Sequence, residues 1–427
     1  MEQLKQRSEV LEQFKWKIED LVSSDKVWEE RFENLKKEFS KMDSFKNNIK
    51  INNLKDCLSL RDKISNETMI LYVYANLKKN EDSTNSFYQS LASKSESLVS
   101  LYQSSVAFLE PEILTLDEKE LLKAIDTDLN LYNQYIKNLL RTKKHILSTE
   151  KEEILANAYE ISQSADNIFS MLNNADADFG HIKDENGKDI KVTHGNYSML
   201  LENPNQDVRK QAFKAMYKFY YSLKNTIATT YTSSVKADIF NAKVRNYNSS
   251  IEHALSETNV SLDVYKNLIA TVEKFLPVMH KYVAIRKKRL GLSEIHFYDL
   301  YTPIVKDVDK KITFEEGKKI TLEALKPLGE DYIKNLKDAF DNRWIDIYEN
   351  VGKRSGAYVW GAYGCHPFVS LNYTDTLDDM FTLAHEMGHA MHSYYTTTNQ
   401  PYVYGDYTIF LAEVASTVNE ALLMEHL

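Results

Sequence analysis

The residues best suited to chemistry lie in one short stretch, His385-Glu386-Met387-Gly388-His389. Side chains four residues apart share a face of a helix, so the imidazoles of His385 and His389 can bind one metal ion. Glu386 lies about 100° around the helix from His385 and can reach a water molecule on that ion. The spacing predicts a zinc hydrolase site. The simpler alternative is a surface helix that carries two unrelated histidines.

Catalytic zinc usually has three protein ligands and one open position, so a further ligand must be found. Metzincins take it from the same segment, with a glycine at position 392 and a histidine at position 395. The chain has His392 and Tyr395 there, which excludes that class. His392 lies on nearly the same helix face as His385. It could contact a substrate or pack as an ordinary histidine.

The third ligand is predicted in the apolar stretch 409–423, which two acids interrupt. Glu413 follows Leu411 and Ala412, where burying an unpaired carboxylate would be costly. A metal ion would offset that cost, so we expect Glu413 to be the third ligand. Glu420 lies two helical turns further on the same face. It either supports a ligand from behind or is solvated.

Composition places the chain among ordinary globular proteins: 427 residues, 43% hydrophobic, 27% charged and a formal net charge of −9. The mild acidity argues against a nucleic-acid partner, and no apolar run approaches the length of a membrane span. Residues 1–16 contain no secretory apolar core. The two cysteines, Cys57 and Cys365, cannot form a disulfide framework. We expect a cytoplasmic protein with no membrane partner.

Residues 1–179 are predicted to be helical, because they contain no glycine and a single proline, Pro111. Two apolar stripes have helical spacing: Leu4, Val10, Leu11, Phe14 and Ile18, then Trp28, Phe32, Leu35 and Phe39. Pro111 and the polar region 115–117 suggest a boundary between an N-terminal bundle and a second helical unit, which should end near Asn174. A β-hairpin is predicted over 179–192, with Asn186-Gly187 as a two-residue turn.

Further helices are predicted over 205–291, where Pro277 marks a kink or a first turn, and over 314–340. The glycine-rich stretch 352–364 precedes a predicted strand, 368–373. Small residues let another backbone come close, which suits a sheet edge that pairs with an extended peptide. A plain hairpin with surface glycines is the alternative.

Several motifs together resemble those of oligoendopeptidase F, in the thimet-type group of zinc oligopeptidases. The motifs lie at 168–174, 299–303, 343–346, 353–358, 384–389 and 412–417. The resemblance implies a mainly α fold, a multi-helix ellipsoid with a deep channel and small β elements near one zinc ion. It also implies three regions: an N-terminal helical bundle (1–112), a helical lobe with the hairpin (113–195), and a catalytic domain (196–427).

The same resemblance implies roles for individual residues. His385, His389 and Glu413 would bind zinc, and Glu386 would be the catalytic base that takes a proton from the zinc-activated water and passes it to the leaving amine. The segment Gly356, Ala357 and Tyr358 would present a backbone edge to the substrate. The substrates would be short, unstructured peptides, because a narrow channel admits only flexible chains.

The chain ends at Leu427, soon after Glu413, whereas family members continue with a segment that closes the channel and faces the scissile carbonyl. We therefore expect an intact metal site on a C-terminally truncated enzyme. Apolar residues near the end, Leu411, Val414, Val418 and Leu422, would then be exposed. Two alternatives are a non-catalytic remnant that binds zinc or peptide, and a subunit that needs a separate C-terminal fragment or a homo-oligomer.

Overall fold

The computed structural model describes residues 4–305 and 311–427, and in that part of the chain helices dominate. The N-terminal helices are α1 (Asp25–Glu38), α2 (Ile51–Glu81), α3 (Ser86–Val106), α4 (Leu109–Ile113), α5 (Glu118–Ala124), α6 (Asn133–Thr142), α7 (Thr149–Asn157) and α8 (Tyr159–Asn174). The prediction of a helical first half is confirmed, including its end at Asn174. The apolar stripe on α1, with its last member just beyond the helix, is buried as predicted: Trp28, Phe32, Leu35 and Phe39.

The predicted helix over residues 4–18 is wrong. This segment instead forms three short 3₁₀ turns, Arg7–Glu9, Glu12–Phe14 and Ile18–Asp20. Its backbone bonds to a distant part of the chain: Ile347 N–H donates to the Phe14 carbonyl (3.0 Å), and Lys17 N–H donates to the Arg343 carbonyl (2.7 Å). These long-range hydrogen bonds and the burial of single apolar side chains override the helical spacing.

A buried ion network joins the N-terminal segment to Asp346 and Lys353, far along the chain. The ammonium of Lys353 lies 2.6 Å from Asp346 Oδ1, and Asp346 Oδ2 lies 2.5 Å from the Arg7 guanidinium. Arg7 also pairs with Glu81 at 3.0 Å. Lys353 donates to three backbone carbonyls as well, including that of Leu371 at 2.5 Å. The network therefore joins the end of α2, the first residues of the chain and the segment 346–353.

The predicted hairpin is confirmed as antiparallel strands β1 (His181–Lys183) and β2 (Asp189–Lys191). The two-residue turn is wrong, because five residues, 184–188, connect the strands. Asp184 Oδ1 accepts hydrogen bonds from the backbone N–H groups of Asn186 (2.9 Å) and Lys188 (2.8 Å), which closes a wider loop. Gly187 has φ +79°, a conformation that favours glycine.

Five helices follow: α9 (His194–Glu202), α10 (Gln206–Ser222), α11 (Lys224–Val244), α12 (Ser250–Glu257) and α13 (Leu262–Arg289). Pro277 lies in the interior of α13, so it does not mark a first turn as one reading of the sequence proposed. Many large apolar side chains of α13 are at the surface, including Val264, Leu268, Val272, Phe275 and Met279.

The predicted helix over 314–340 is two helices, α14 (Phe314–Ala324) and α15 (Glu330–Asp341). A 3₁₀ turn with Pro327 and then Gly329, at φ +98°, separates them. Three short strands follow: β3 (Ile345–Asp346), β4 (Tyr358–Trp360) and β5 (Phe368–Ser370). Their order is β3-β5-β4, with β3 parallel and β4 antiparallel to β5, so β4 is an edge strand.

The last two helices are α16 (Leu377–Asn399) and α17 (Ile409–His426), and they pack against each other. Of the apolar residues expected at the surface, Leu411, Val414 and Val418 are exposed, whereas Leu422 packs against the core that includes Leu383 and Met387. None of the helices in the described ranges is both long and apolar enough to cross a bilayer.

Candidate metal centre

Helix α16 is held in place by a cap and a deeply buried face. The Thr376 hydroxyl accepts from the backbone N–H of Asp379 (3.0 Å), and the Asp379 carboxylate accepts from the N–H of Thr376 (3.0 Å). This reciprocal cap fixes the start of the helix. The inner face has no exposed surface at Met380, Leu383, Ala384, Met387, Ala390 and Met391. Such a face leaves His385 and His389 on the opposite side of a rigid element.

Gly388 lets α17 approach α16 closely. A Cβ atom at this position would lie 2.7 Å from the Ala415 carbonyl oxygen and 2.8 Å from the Ser416 Cα. These distances are shorter than side-chain carbons tolerate, so only glycine fits without movement. Glycine has a lower helix propensity than alanine. Its missing side chain, however, is what allows α17 to lie next to the histidines.

Asn419 fixes how α17 is positioned along α16. Its side-chain amide donates to the Ala384 carbonyl (3.0 Å), and its oxygen accepts from the Tyr332 hydroxyl (3.0 Å). Asn419 is 1% exposed, so its polar atoms need these partners. Sequence reasoning missed Asn419, although a polar residue within an apolar run was a usable sign.

The three predicted ligands come together. His385 Nε2 and His389 Nε2 are 3.1 Å apart, and Glu413 Oε2 lies 3.5 Å and 3.6 Å from them. Tetrahedral zinc with bonds of about 2.05 Å would separate its ligand atoms by about 3.3 Å. Within the described ranges, this is the one His/Cys/Asp/Glu group whose ligand atoms converge in this way. The chain's residues therefore fit a tetrahedral metal ion with one open position.

The burial argument that led to Glu413 is wrong. Its side chain is 48% exposed, so no cost of burying a charge is there for a metal to offset. Its place in the group rests instead on the two distances to the imidazoles. Ser416, one turn further, donates to Glu413 Oε2 at 2.9 Å and orients the carboxylate.

The His385 imidazole is oriented by a further hydrogen bond. Glu420 Oε1 lies 2.5 Å from His385 Nδ1, which places the proton on Nδ1 and leaves Nε2 free for a metal. The sequence left two roles open for Glu420, support of a ligand residue or a solvated position, and the structure shows the contact with His385. Burial and the neighbouring His385 lower the pKa of His389, which favours the neutral imidazole that binds a metal.

Glu386 is poised beside this group without bonding to it. The residue is 6% exposed, and its Oε2 has no hydrogen-bond partner in the described part of the chain. Burial raises the pKa of Glu386 to about 7; His385 opposes the rise and Glu413 adds to it. A buried carboxyl group with a free oxygen and a pKa near neutrality can both accept and return a proton.

The structure places His392 outside the ligand group. Its ring stacks on that of Tyr407 at a centroid distance of 3.8 Å, and its buried Nδ1 has no partner among the described residues. Burial lowers the pKa of His392. The Tyr407 hydroxyl lies 2.5 Å from the Ser393 hydroxyl. His392 thus packs beside the metal centre, and its Nδ1 forms no hydrogen bond with the described residues.

The segment expected to bind substrate leads into the edge strand β4, which begins at Tyr358 and lies against α16. Gly356, with φ +81°, comes just before the strand, and its carbonyl accepts from the Asn372 side chain (2.8 Å). Ala357 packs on the core beneath α16. The Tyr358 hydroxyl accepts from Asn80 (2.9 Å), so this side chain faces the N-terminal helices. What β4 offers to a ligand is therefore its backbone edge.

A cavity of about 1010 Å³ reaches α16 at Ser393, one helical turn beyond His389. Val359 and Trp360 of β4 form part of its wall, as do Ser393, one turn after His389, and Tyr407. Residues more than 200 positions apart line this space, so sequence reasoning had no means of finding it.

Comparisons with known proteins agree with this geometry. Residues 199–427 match peptidase family M3, and residues 112–179 match the family described as oligopeptidase F. The chain is 46% identical to the oligopeptidase PepF of Bacillus subtilis and 40% identical to an oligoendopeptidase F homolog of Lactococcus lactis. It is fully covered by the first alignment and 99% covered by the second, and it spans 64% and 71% of the lengths of those proteins.

A solved structure also resembles this one. The oligoendopeptidase-F of Enterococcus faecium superposes with a TM-score of 0.72 at 34% identity, over 94% of this chain and 67% of that one. Sequence motifs, fold and the converging His385, His389 and Glu413 side chains all agree. The chain belongs to peptidase family M3, within its oligopeptidase F group.

Proposed function

We propose that this chain is a zinc-dependent endopeptidase that hydrolyses short, unstructured peptides. The observation that carries the proposal is the triangle of ligand atoms on His385, His389 and Glu413, with edges of 3.1, 3.5 and 3.6 Å. Two imidazoles and one carboxylate suit zinc in catalytic sites. The names of the relatives, oligopeptidase and oligoendopeptidase, support peptides as the substrate class.

When bound, zinc would supply a Lewis acid that polarises a peptide carbonyl and acidifies a water molecule. The proton transfers fall to Glu386. Its free Oε2 accepts the proton of the attacking water, and the same carboxyl group then protonates the leaving amine. Burial favours the first transfer, because it disfavours the charged carboxylate and so strengthens Glu386 as a base.

The supporting residues hold this arrangement still. Glu420 keeps the His385 ring in one orientation and tautomer, and Ser416 does the same for the Glu413 carboxylate. Gly388 and Asn419 set the spacing of the two helices. A site fixed by packed helices needs little rearrangement during the reaction.

A peptide would lie extended along β4. The backbone of Gly356, Ala357 and Tyr358 is suited to strand-like pairing, because β4 has a single strand neighbour in the described part of the chain. Such pairing recognises backbone and needs an unfolded substrate, which fits a preference for short peptides. His392 is a further candidate for contact with the substrate, through its Nε2, because its Nδ1 is buried.

Hydrolysis of a quenched fluorescent peptide by the zinc-loaded chain tests the proposal. Glu386→Gln should keep its zinc content and lose activity by about 10²–10⁴-fold, the usual contribution of a general base. Glu425→Gln is the matched control, since it makes the same change at an exposed position of α17, and it should be as active as the unaltered chain. If Glu386→Gln were as active as the unaltered chain, the proposed role of Glu386 would be overturned.

A further inference from the structure

The cavity that reaches α16 at Ser393 is built as a binding site in its own right. It lies between the N-terminal helices and the segment from β4 to α17. Ser393 of α16 is on its wall, and four residues of helix place it roughly 6 Å from His389 along the axis. A peptide whose scissile bond is at the metal centre and whose backbone follows β4 would therefore extend into this space.

The two arginines of the cavity are already neutralised by neighbouring carboxylates. Arg61 lies 2.5 Å from Asp62 Oδ1, and its guanidinium stacks over the Tyr135 ring at 4.4 Å. Arg245 makes two parallel bonds to Glu152, both 2.8 Å long. Paired in this way, neither guanidinium is free to bind an anionic part of a peptide.

Among the carboxyl groups of the cavity in the described part of the chain, Glu110 and Asp406 have no ion-pair partner. Asp406 is exposed and accepts from the Tyr407 backbone N–H (2.8 Å), which leaves Glu110 as the enclosed one. In the described part of the chain its one hydrogen bond comes from the Tyr135 hydroxyl at 3.5 Å, the limit of such a contact. Burial raises the pKa of Glu110, Glu152 adds to the rise, and Arg61 and Arg245 oppose it. The raised pKa fits a carboxyl group that no adjacent counter-charge stabilises.

Several aromatic rings complete the lining of the cavity. They are those of Tyr102, Tyr135, Tyr159, Trp360, Tyr402 and Tyr407. Aromatic faces attract cations, so rings around a carboxyl group that has no ion-pair partner make an environment suited to a positive charge.

We propose that this cavity binds a positively charged group of the peptide substrate, with Glu110 as its counter-charge. The group is either the amino terminus or a lysine or arginine side chain. This inference rests on the proposed function, because it identifies a substrate preference of the same enzyme. A cavity of this volume is about 12 Å across, so the charged group would lie roughly two to six extended residues from the scissile bond.

Equilibrium binding of labelled peptides tests the proposal without requiring turnover. The zinc-loaded Glu386→Gln chain is titrated with a short neutral peptide in which one lysine is moved along the sequence, and with norleucine at the same positions. A second pair has a free or an acetylated amino terminus. We expect a charged form to bind about 10- to 100-fold more tightly than its neutral form at a defined position. The lysine and acetylation series show which source supplies the charge.

When Glu110→Gln is added to the Glu386→Gln chain, the Kd values of the charged and neutral peptides should become equal. Glu118→Gln, which makes the same change at an exposed position of α5, should keep the difference. Equal affinities in the parent chain, or an equal loss for all peptides with Glu110→Gln, would overturn the proposal. The peptide series alone decides the matter if Glu110→Gln fails to fold. Hydrolysis of the norleucine peptide by the unaltered chain tests the proposed function separately, since binding and cleavage can fail independently.

Discussion

Replacing Gly388 with alanine should weaken metal binding, although the same change favours helix formation elsewhere. Alanine is about 1 kcal/mol better than glycine inside a helix, so local propensity alone predicts a more stable α16. The structure predicts the opposite outcome, because the added methyl group would meet the backbone of α17 at Ala415 and Ser416. No truncation of a neighbouring side chain can relieve a clash with backbone.

The magnitude follows from the distances. The new Cβ would lie 2.7 Å from the Ala415 oxygen, and ordinary contacts begin at 3.4 Å, so α17 must retreat by about 0.7 Å in a closely packed interior. Overpacking of this kind costs about 1–3 kcal/mol. Glu413 moves with α17, whereas metal–ligand distances tolerate about 0.2 Å. We expect zinc affinity to fall by about 10–100-fold, as it does when groups that orient ligands are lost.

Competition with a chromophoric chelator measures the zinc Kd, and thermal unfolding of the metal-free chain measures the packing cost. Thr398→Ala is the control for helix propensity, because it favours helix at an exposed position of α16 ten residues beyond Gly388. Glu413→Ala gives the zinc Kd expected when the third ligand is absent. A Gly388→Ala chain with unchanged zinc affinity and a higher unfolding temperature would refute the reasoning.

Three further predictions concern the supporting residues. Glu420→Gln should weaken zinc binding about 10-fold or more while the three ligands remain, because the His385 ring loses its carboxylate partner; chelator competition measures it. Lys353→Met should lower the free energy of unfolding by about 3–5 kcal/mol in urea titrations, because it leaves the buried Asp346 charge short of a partner. Stability should also fall in acid. Burial alone would raise the pKa of Asp346, but Lys353 and Arg7 hold it below its ordinary value.

The sign of the acid effect follows from that lowered pKa. A carboxyl group whose pKa is lower in the folded chain contributes stability above its unfolded pKa of about 4. That stability is lost as the pH falls from there through the folded value. Urea unfolding measured from pH 6 to about pH 3 should show the decline, and Lys353→Met should reduce its slope. A slope unchanged by the substitution would place the acid sensitivity in other groups.

The pairing of His385 with His389 could be foreseen because helical periodicity depends on local sequence alone, and residues four apart share a face of any helix of normal geometry. The local pattern gave a wrong reason for Glu413, whose side chain is exposed, so the family resemblance was the better guide to it. The helix spacing could not be foreseen, since the contact of Gly388 with Ala415 and the bonds of Asn419 depend on tertiary packing. The break between α14 and α15 was missed, although Pro327 and Gly329 are both local signals of a helix end.

Other features depended on contacts that no local pattern encodes. The first residues have helical spacing, but their backbone bonds to residues 343–351 and they form 3₁₀ turns instead. The Asn186-Gly187 pair indicated a tight turn, and the Asp184 side chain closed a wider loop. The cavity with Glu110 assembles from helices and loops that are distant in the sequence.

The most direct test of the central claim is a zinc titration of the metal-free chain with peptide hydrolysis as the readout. If His385, His389 and Glu413 hold the ion that supports catalysis, activity should rise linearly and stop rising at one equivalent of zinc, and Glu413→Gln should abolish that tight, stoichiometric phase. Activity that survives complete removal of metal, or that is unaffected by Glu413→Gln, would contradict the account.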